Sequence, residues 1–125
     1  MRFLWPATGP ILSDFGPKPN GLHNDGINIA MPPNAPVHAA GDGEVIHAGD
    51  GLRGYGNMLL IRHSGGWVTA YAHNSKLLVE RGDRVKRGQA IAKAGRSGGV
   101  TQDQLHFEIR QGARAVNPKP LLVEG

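Results

Sequence analysis

The sequence predicts a mainly β domain of antiparallel sheets with long loops around a groove, and three observations carry that prediction. Nineteen glycines and nine prolines in 125 residues cut the chain into short segments separated by turns, a pattern that favours strands over long helices. Several of these segments are rich in β-branched, aromatic and aliphatic residues. One of them, "QLHFEI" over 104–109, places Gln104, His106 and Glu108 on one strand face and Leu105, Phe107 and Ile109 on the other. Three polar groups on one face point to a groove.

Taken in order, the front third "GPKPNGLHNDGINIAMPPNAP" reads as loop, because its prolines and glycines favour irregular backbone over a ladder. Strands are predicted over Glu44–Ala48, Asn57–His63, Trp67–Ala72, Ala90–Ala94 and Leu105–Arg110. The stretch "IRHSGGWVTAYAH" (61–73) is a hairpin turning at Ser64, Gly65 and Gly66, and its second arm delivers Tyr71 and His73 to the same face by alternation. No linker divides the chain, so one domain is expected over 1–125 with its core at about 6–118. The tripeptide "GDG" occurs at 41–43 and 49–51, too short an echo to be a repeat.

Cysteine is absent, which excludes thiol nucleophiles, thiolate metal sites and disulfides. Fourteen Lys and Arg against ten Asp and Glu give a formal charge of +4, dense in "ERGDRVKRGQ" (80–89) and at Arg110, Arg114 and Lys119. Such a surplus suits an anionic partner or plain solubility. No stretch approaches the roughly 20 apolar residues of a membrane span. The first residues are too interrupted for a signal peptide, so an export signal is expected outside this stretch.

Of six histidines, His38, His47 and His63 lack a second ligand type at useful spacing and read as structural. His23, His73 and His106 lie in "GLHNDGINIA", "WVTAYAHNS" and "LHFEIR". With "GYGNMLLIRH" and "VERGDRVKRGQAIAKAG", in this order, these segments resemble the LytM or lysostaphin-type zinc peptidase domain of bacterial cell-wall enzymes, over about Pro6 to Pro118. The resemblance implies a LytM-like fold of the duplicated hybrid type. It also implies a zinc held by three protein ligands, whose open fourth position activates water with the help of nearby imidazoles.

The family pattern survives only in part. Asn24 stands where the resemblance places a ligand His, Asn28 where it places a ligand Asp, and Gln104 where it places a catalytic His; His106 and His73 remain. Neutral amides are poor zinc donors and do not exchange protons near neutral pH. The expectation is therefore no catalytic residues, no metal and no cofactor. An irregular site of His23, Asp25 and His106 is the strongest form of the alternative, a zinc-dependent peptidoglycan endopeptidase. "NDGINIA", "LRGYGN" and "AYAH" are especially similar to the noncatalytic branch of the NlpD and DipM type, related to EnvC. That likeness implies binding and activation of a periplasmic N-acetylmuramoyl-L-alanine amidase in cell division, with peptidoglycan as a second ligand and no nucleic acid.

The expected partner groove comprises Asn24, Asn28, Tyr71, His73, Gln104, His106, Glu108 and Arg110, with the Arg110 fork offered to the partner. "VERGDRVKRGQAIA" (79–92) also resembles lipoyl and biotinyl carriers, but Lys93 lies inside a predicted strand and not at a hairpin tip.

Overall fold

The computed structural model describes residues 2–125. In chain order the strands are β1 (Phe3–Leu4), β2 (Ile11–Ser13), β3 (Gly16–Pro17), β4 (His23–Asn24), β5 (Ile27–Ala30), β6 (Pro36–His38), β7 (Gly43–Gly49), β8 (Asn57–Arg62), β9 (Trp67–Leu77), β10 (Arg84–Val85), β11 (Ala90–Ala94), β12 (Gln104–Gln111), β13 (Arg114–Val116) and β14 (Leu122–Val123). The main sheet runs β10-β7-β8-β9-β12-β5-β2, with β13 paired to β12 and β11 bridging β9 and β6. Every pairing along this path is antiparallel. β1 and β14 form a short parallel pair that brings the two ends of the domain together.

The predicted strands appear as β7, β8, β9, β11 and β12, and β9 extends to Leu77. The front third is not all loop. β5 lies between β12 and β2 in the main sheet, with Ile27 and Ile29 fully buried. Its Ile-x-Ile alternation is only four residues long and is surrounded by Pro and Gly, so the local signal is that of loop. Its partners make it a strand.

β12 is the centre of the architecture. Leu105, Phe107 and Ile109 are fully buried in the core with Ile27, Ile29, Leu59 and Ile61. Truncating a side chain of this kind to alanine costs about 2–5 kcal/mol. On the opposite face, His106 pairs across to Ala72 on β9 and Asn28 on β5, and Glu108 pairs to Ala70.

Tyr71 belongs to the core and not to the groove. It is fully buried, edge-on to Phe107 at 5.4 Å between ring centroids, and burial pushes its phenol up to about 12. The alternation that should carry His73 to the same side is broken at His73 itself, whose φ is +69°. Asn57 pairs with Asn74 and Leu59 with Tyr71, so β9 holds one extra residue against β8. Such a bulge re-aims the next side chain. His73 therefore faces His106, at 6.1 Å between ring centroids, while Tyr71 stays inside.

The Tyr71 hydroxyl starts a buried relay. The Ala40 N–H donates to Tyr71 Oη at 2.9 Å, Tyr71 Oη lies 2.7 Å from Thr69 Oγ1, and Thr69 Oγ1 lies 2.8 Å from His63 Nε2. His63 Nδ1 is 2.7 Å from the Asp42 carbonyl oxygen. A carbonyl oxygen only accepts, so Nδ1 carries the proton and Nε2 accepts from Thr69. A second ring proton would leave the relay one acceptor short, because the Thr69 and Tyr71 hydroxyls would then have only each other to donate to. Burial lowers the His63 imidazole below its ordinary 6.5, against the opposing pull of the Asp42 carbonyl.

Between that lowered value and about 6.5 the unfolded chain binds more protons than the folded one, so stability rises with pH across this window. Urea unfolding should give a midpoint that is constant above about pH 7 and falls steadily below about pH 6.5. A midpoint that holds down to about pH 5 would contradict a neutral His63 in the relay.

Candidate functional site

The groove face of β12 is organised by one backbone donor. The Gly26 N–H donates to Asn24 Oδ1 at 3.1 Å, which fixes the orientation of that amide. Asn24 Nδ2 then donates to Ser13 Oγ at 3.0 Å and to Asn28 Oδ1 at 2.9 Å. This fixes Asn28 in turn, whose Nδ2 donates to Gln104 Oε1 at 2.8 Å. Only glycine fits at position 26, because a Cβ there would stand 2.1 Å from the Phe107 carbonyl oxygen.

His106 receives the end of this chain. Its Nδ1 is 3.1 Å from Asn28 Oδ1 and its Nε2 is 2.8 Å from Glu108 Oε2, so both ring nitrogens face oxygen acceptors. The Glu108 side chain is only 3% exposed. Burial alone would raise its carboxyl, but hydrogen bonds from His106 and Arg110 outweigh burial and hold it below the ordinary value.

Arg110 is committed within the chain. Its Nε donates to Glu108 Oε1 at 2.7 Å, its Nη1 to the Ala113 carbonyl at 3.1 Å, and its Nη2 reaches Asp25 Oδ2 at 3.4 Å. Asp25 also pairs with His23 Nδ1 at 3.0 Å. In the free chain the guanidinium, expected to offer its fork to a partner, ties the 22–26 turn to β12.

His73 closes the far wall. Its Nδ1 lies 2.8 Å from the Ser97 carbonyl oxygen, which leaves Nε2 as an acceptor. Burial, more than the nearby His106, lowers its imidazole below the ordinary value. The His73 N–H donates to the Tyr55 carbonyl at 2.9 Å, and Asn57 N–H donates to Ser97 Oγ at 3.0 Å. These bonds hold Tyr55 over the groove, its hydroxyl 3.5 Å from Glu108. Burial, then the Glu108 charge, raises the Tyr55 phenol.

The result is a cleft of about 210 Å³ with His23 and Asp25 on one wall, Tyr55 and His73 on the other, and His106 and Glu108 at its floor. A larger cavity of about 580 Å³ lies among Leu4, Trp5, Ile11 and His38, where no comparable set of polar side chains converges. Of the residues predicted from sequence, Asn24, Asn28, Gln104, His106, Glu108 and Arg110 form one bonded series and His73 faces it. Tyr71 does not join them. Sequence reasoning missed Tyr55, Ser13 and Ser97. Tyr55 had a signal, its place between Gly54 and Gly56, whereas the two serines had none.

Residues 22–118 match the model of Peptidase family M23. The chain belongs to this family. Cell division protein DipM of Caulobacter vibrioides is 46% identical over 109 residues, 87% of this chain and 18% of that protein. Murein hydrolase activator NlpD of Escherichia coli is 44% identical over 114 residues, covering 91% of this chain and 29% of the relative. The chain thus spans less than a third of either relative's length. The catalytic domain of the antimicrobial peptidase lysostaphin from Staphylococcus simulans superposes with a TM-score of 0.85 at 32% identity, over 90% of each chain.

The zinc that the M23 fold implies requires imidazole, thiolate or carboxylate donors with free lone pairs. Asn24, Asn28 and Gln104 are neutral amides already bonded to one another, and a metal on either nitrogen of His106 would have to break a hydrogen bond. His23 and Asp25 pair with each other, and among the described residues no three His, Cys, Asp or Glu side chains are grouped to hold a metal ion. The residues present do not fit zinc.

Arg110→Ala would strip Glu108 of its second partner while the carboxylate stays buried. Loss of a buried charged hydrogen bond costs about 1–3 kcal/mol. The variant should unfold at correspondingly lower urea, and a wild-type midpoint would show that the guanidinium contributes nothing to the fold.

Proposed function

We propose that this chain is a noncatalytic M23 domain that binds and activates an N-acetylmuramoyl-L-alanine amidase for septal peptidoglycan hydrolysis in cell division, at the periplasmic face of the envelope. One observation carries the reading. A bonded series of amides, ending in an imidazole whose two nitrogens both face oxygens, stands at the positions where the family resemblance leads one to expect zinc donors. Such a surface has no activated water to offer, but it keeps a walled cleft. The similarity to proteins named murein hydrolase activator and cell division protein supports the same reading.

The mechanism requires only differential binding. An amidase whose own segment blocks its zinc site exchanges between closed and open forms, and a cleft that binds the released segment shifts it toward the open one. To move such an equilibrium from 1:99 to 99:1, the cleft must favour the open form by about 5.5 kcal/mol.

The test is dye release from labelled cell-wall sacculi by a purified amidase with and without the chain. Release should accelerate until chain and amidase are equimolar, the products should be amide-cleaved glycan strands with peptide cross-links intact, and the chain alone should release nothing. Cross-link cleavage by the chain alone, abolished by a chelator, would replace this reading with the endopeptidase one that lysostaphin's likeness favours.

A further inference from the structure

A cavity larger than the cleft and a pair of like charges share one face of the β6-β11-β9 strands. β11 runs between β6 and β9, and in its register Lys93 stands directly opposite Lys76 on β9 and Pro36 on β6. Directly paired residues project to the same face of a sheet. Here that face is the solvent one: both lysines are exposed, whereas Val37, Ala92 and Ala94 are fully buried on the other.

Elsewhere the sheet pairs opposite charges. Glu44 on β7 faces Arg62 on β8 and Arg84 on β10, and its carboxylate accepts from Arg62 at 2.8 Å. Lys76 and Lys93 make no ion pair among the described residues. Like charges directly opposite one another destabilise a sheet. An anion held between the two ammonium groups would relieve that repulsion.

The cavity begins two residues along β6. His38 shares the face of Pro36 by alternation, and it lines the 580 Å³ cavity with Leu4, Trp5, Ala7 and Ile11. The pairing puts the His38 and Lys93 Cα atoms about 8 Å apart from strand spacing and rise, a gap that an extended lysine side chain covers. Such a volume with such a lining suits the apolar part of a small ligand. Its walls are held in advance, because the His38 N–H donates to the Pro6 carbonyl at 2.8 Å and the Leu4 N–H to the Ala40 carbonyl at 2.9 Å. Glu124 also stands in the wall and has no cation partner among the described residues. Its carboxylate repels an anionic group from the cavity and leaves the lysines as the place for one.

We propose that this face binds a phosphate-headed lipid, with its aliphatic chain in the cavity and its phosphate between Lys76 and Lys93. A phosphate has oxygens enough to accept from both ammonium groups at once, and lysine meets it as a point charge. The site shares no residue with the cleft over β12 and does not depend on the activator reading.

Titration calorimetry with octyl phosphate tests this, beside hexyl phosphate, octyl glucoside and inorganic phosphate. Octyl phosphate should bind roughly tenfold more tightly than hexyl phosphate, as two further buried methylenes require, and inorganic phosphate should bind far more weakly than either. Lys76→Gln and Lys93→Gln should each weaken octyl phosphate about fivefold, and the double variant should bind it no better than octyl glucoside. Thr8→Trp, which fills the cavity from an exposed position in its lining, should abolish the gain from the longer chain. Arg114→Gln removes an equally exposed, unpaired cation on β13 and should leave binding unchanged. Thermal melting checks that each variant is folded, and the lysine variants decide the matter even where Thr8→Trp is not. Wild-type affinity in the double lysine variant, an equal loss in Arg114→Gln, or inorganic phosphate binding as tightly as octyl phosphate overturns the proposal.

Discussion

The site depends on a single constraint, the hydrogen bond from the Gly26 backbone N–H to Asn24 Oδ1. Because a backbone N–H can only donate, it dictates which way Asn24 points, Asn24 dictates Asn28, and Asn28 presents its oxygen to His106. The glycine is required by contact, since the turn descends onto the Phe107 carbonyl of the central strand. The same close approach that joins the front segment to β12 therefore sets the donor and acceptor pattern of the cleft. Glu108 and Arg110 extend this series to Asp25, returning to the turn from which it began.

A second consequence follows from the backbone of β9. A left-handed residue inside a strand carries a cost of order 1–3 kcal/mol and persists only where its surroundings enforce it. At His73 the enforcing bonds are those to the Tyr55 and Ser97 carbonyls, and they also shape the loop that walls the cleft. Strand, bulge and loop are thus one mechanical unit. The buried relay through Tyr71, Thr69 and His63 satisfies the polar groups on the core side of the same strand.

Much of this was legible in the residues themselves. The alternation of "QLHFEI" placed Gln104, His106 and Glu108 on one face, and the Ser-Gly-Gly turn located the hairpin that joins β8 to β9. Strict alternation failed where the backbone departed from it, which is why Tyr71 was expected beside His73 and lies instead in the core. β5 was hidden because four residues among prolines and glycines become a strand only when β12 and β2 flank them. Arg110 was assigned to the right face, but its partners Asp25 and Ala113 come from a separate turn and from the β12–β13 connection. Contacts between segments distant in sequence carry no local signal.

Whether bonded amides stand in place of zinc donors is tested most directly by zinc binding. Equilibrium dialysis against zinc, followed by metal analysis, compares the wild-type chain with the Asn24→His, Asn28→Asp double variant. That variant places an imidazole and a carboxylate at the two positions that meet His106 through Asn28 Oδ1. Wild type should retain far less than one equivalent, and the double variant should approach one. A wild-type chain that holds a full equivalent, lost on His106→Ala or His23→Ala, would contradict the claim.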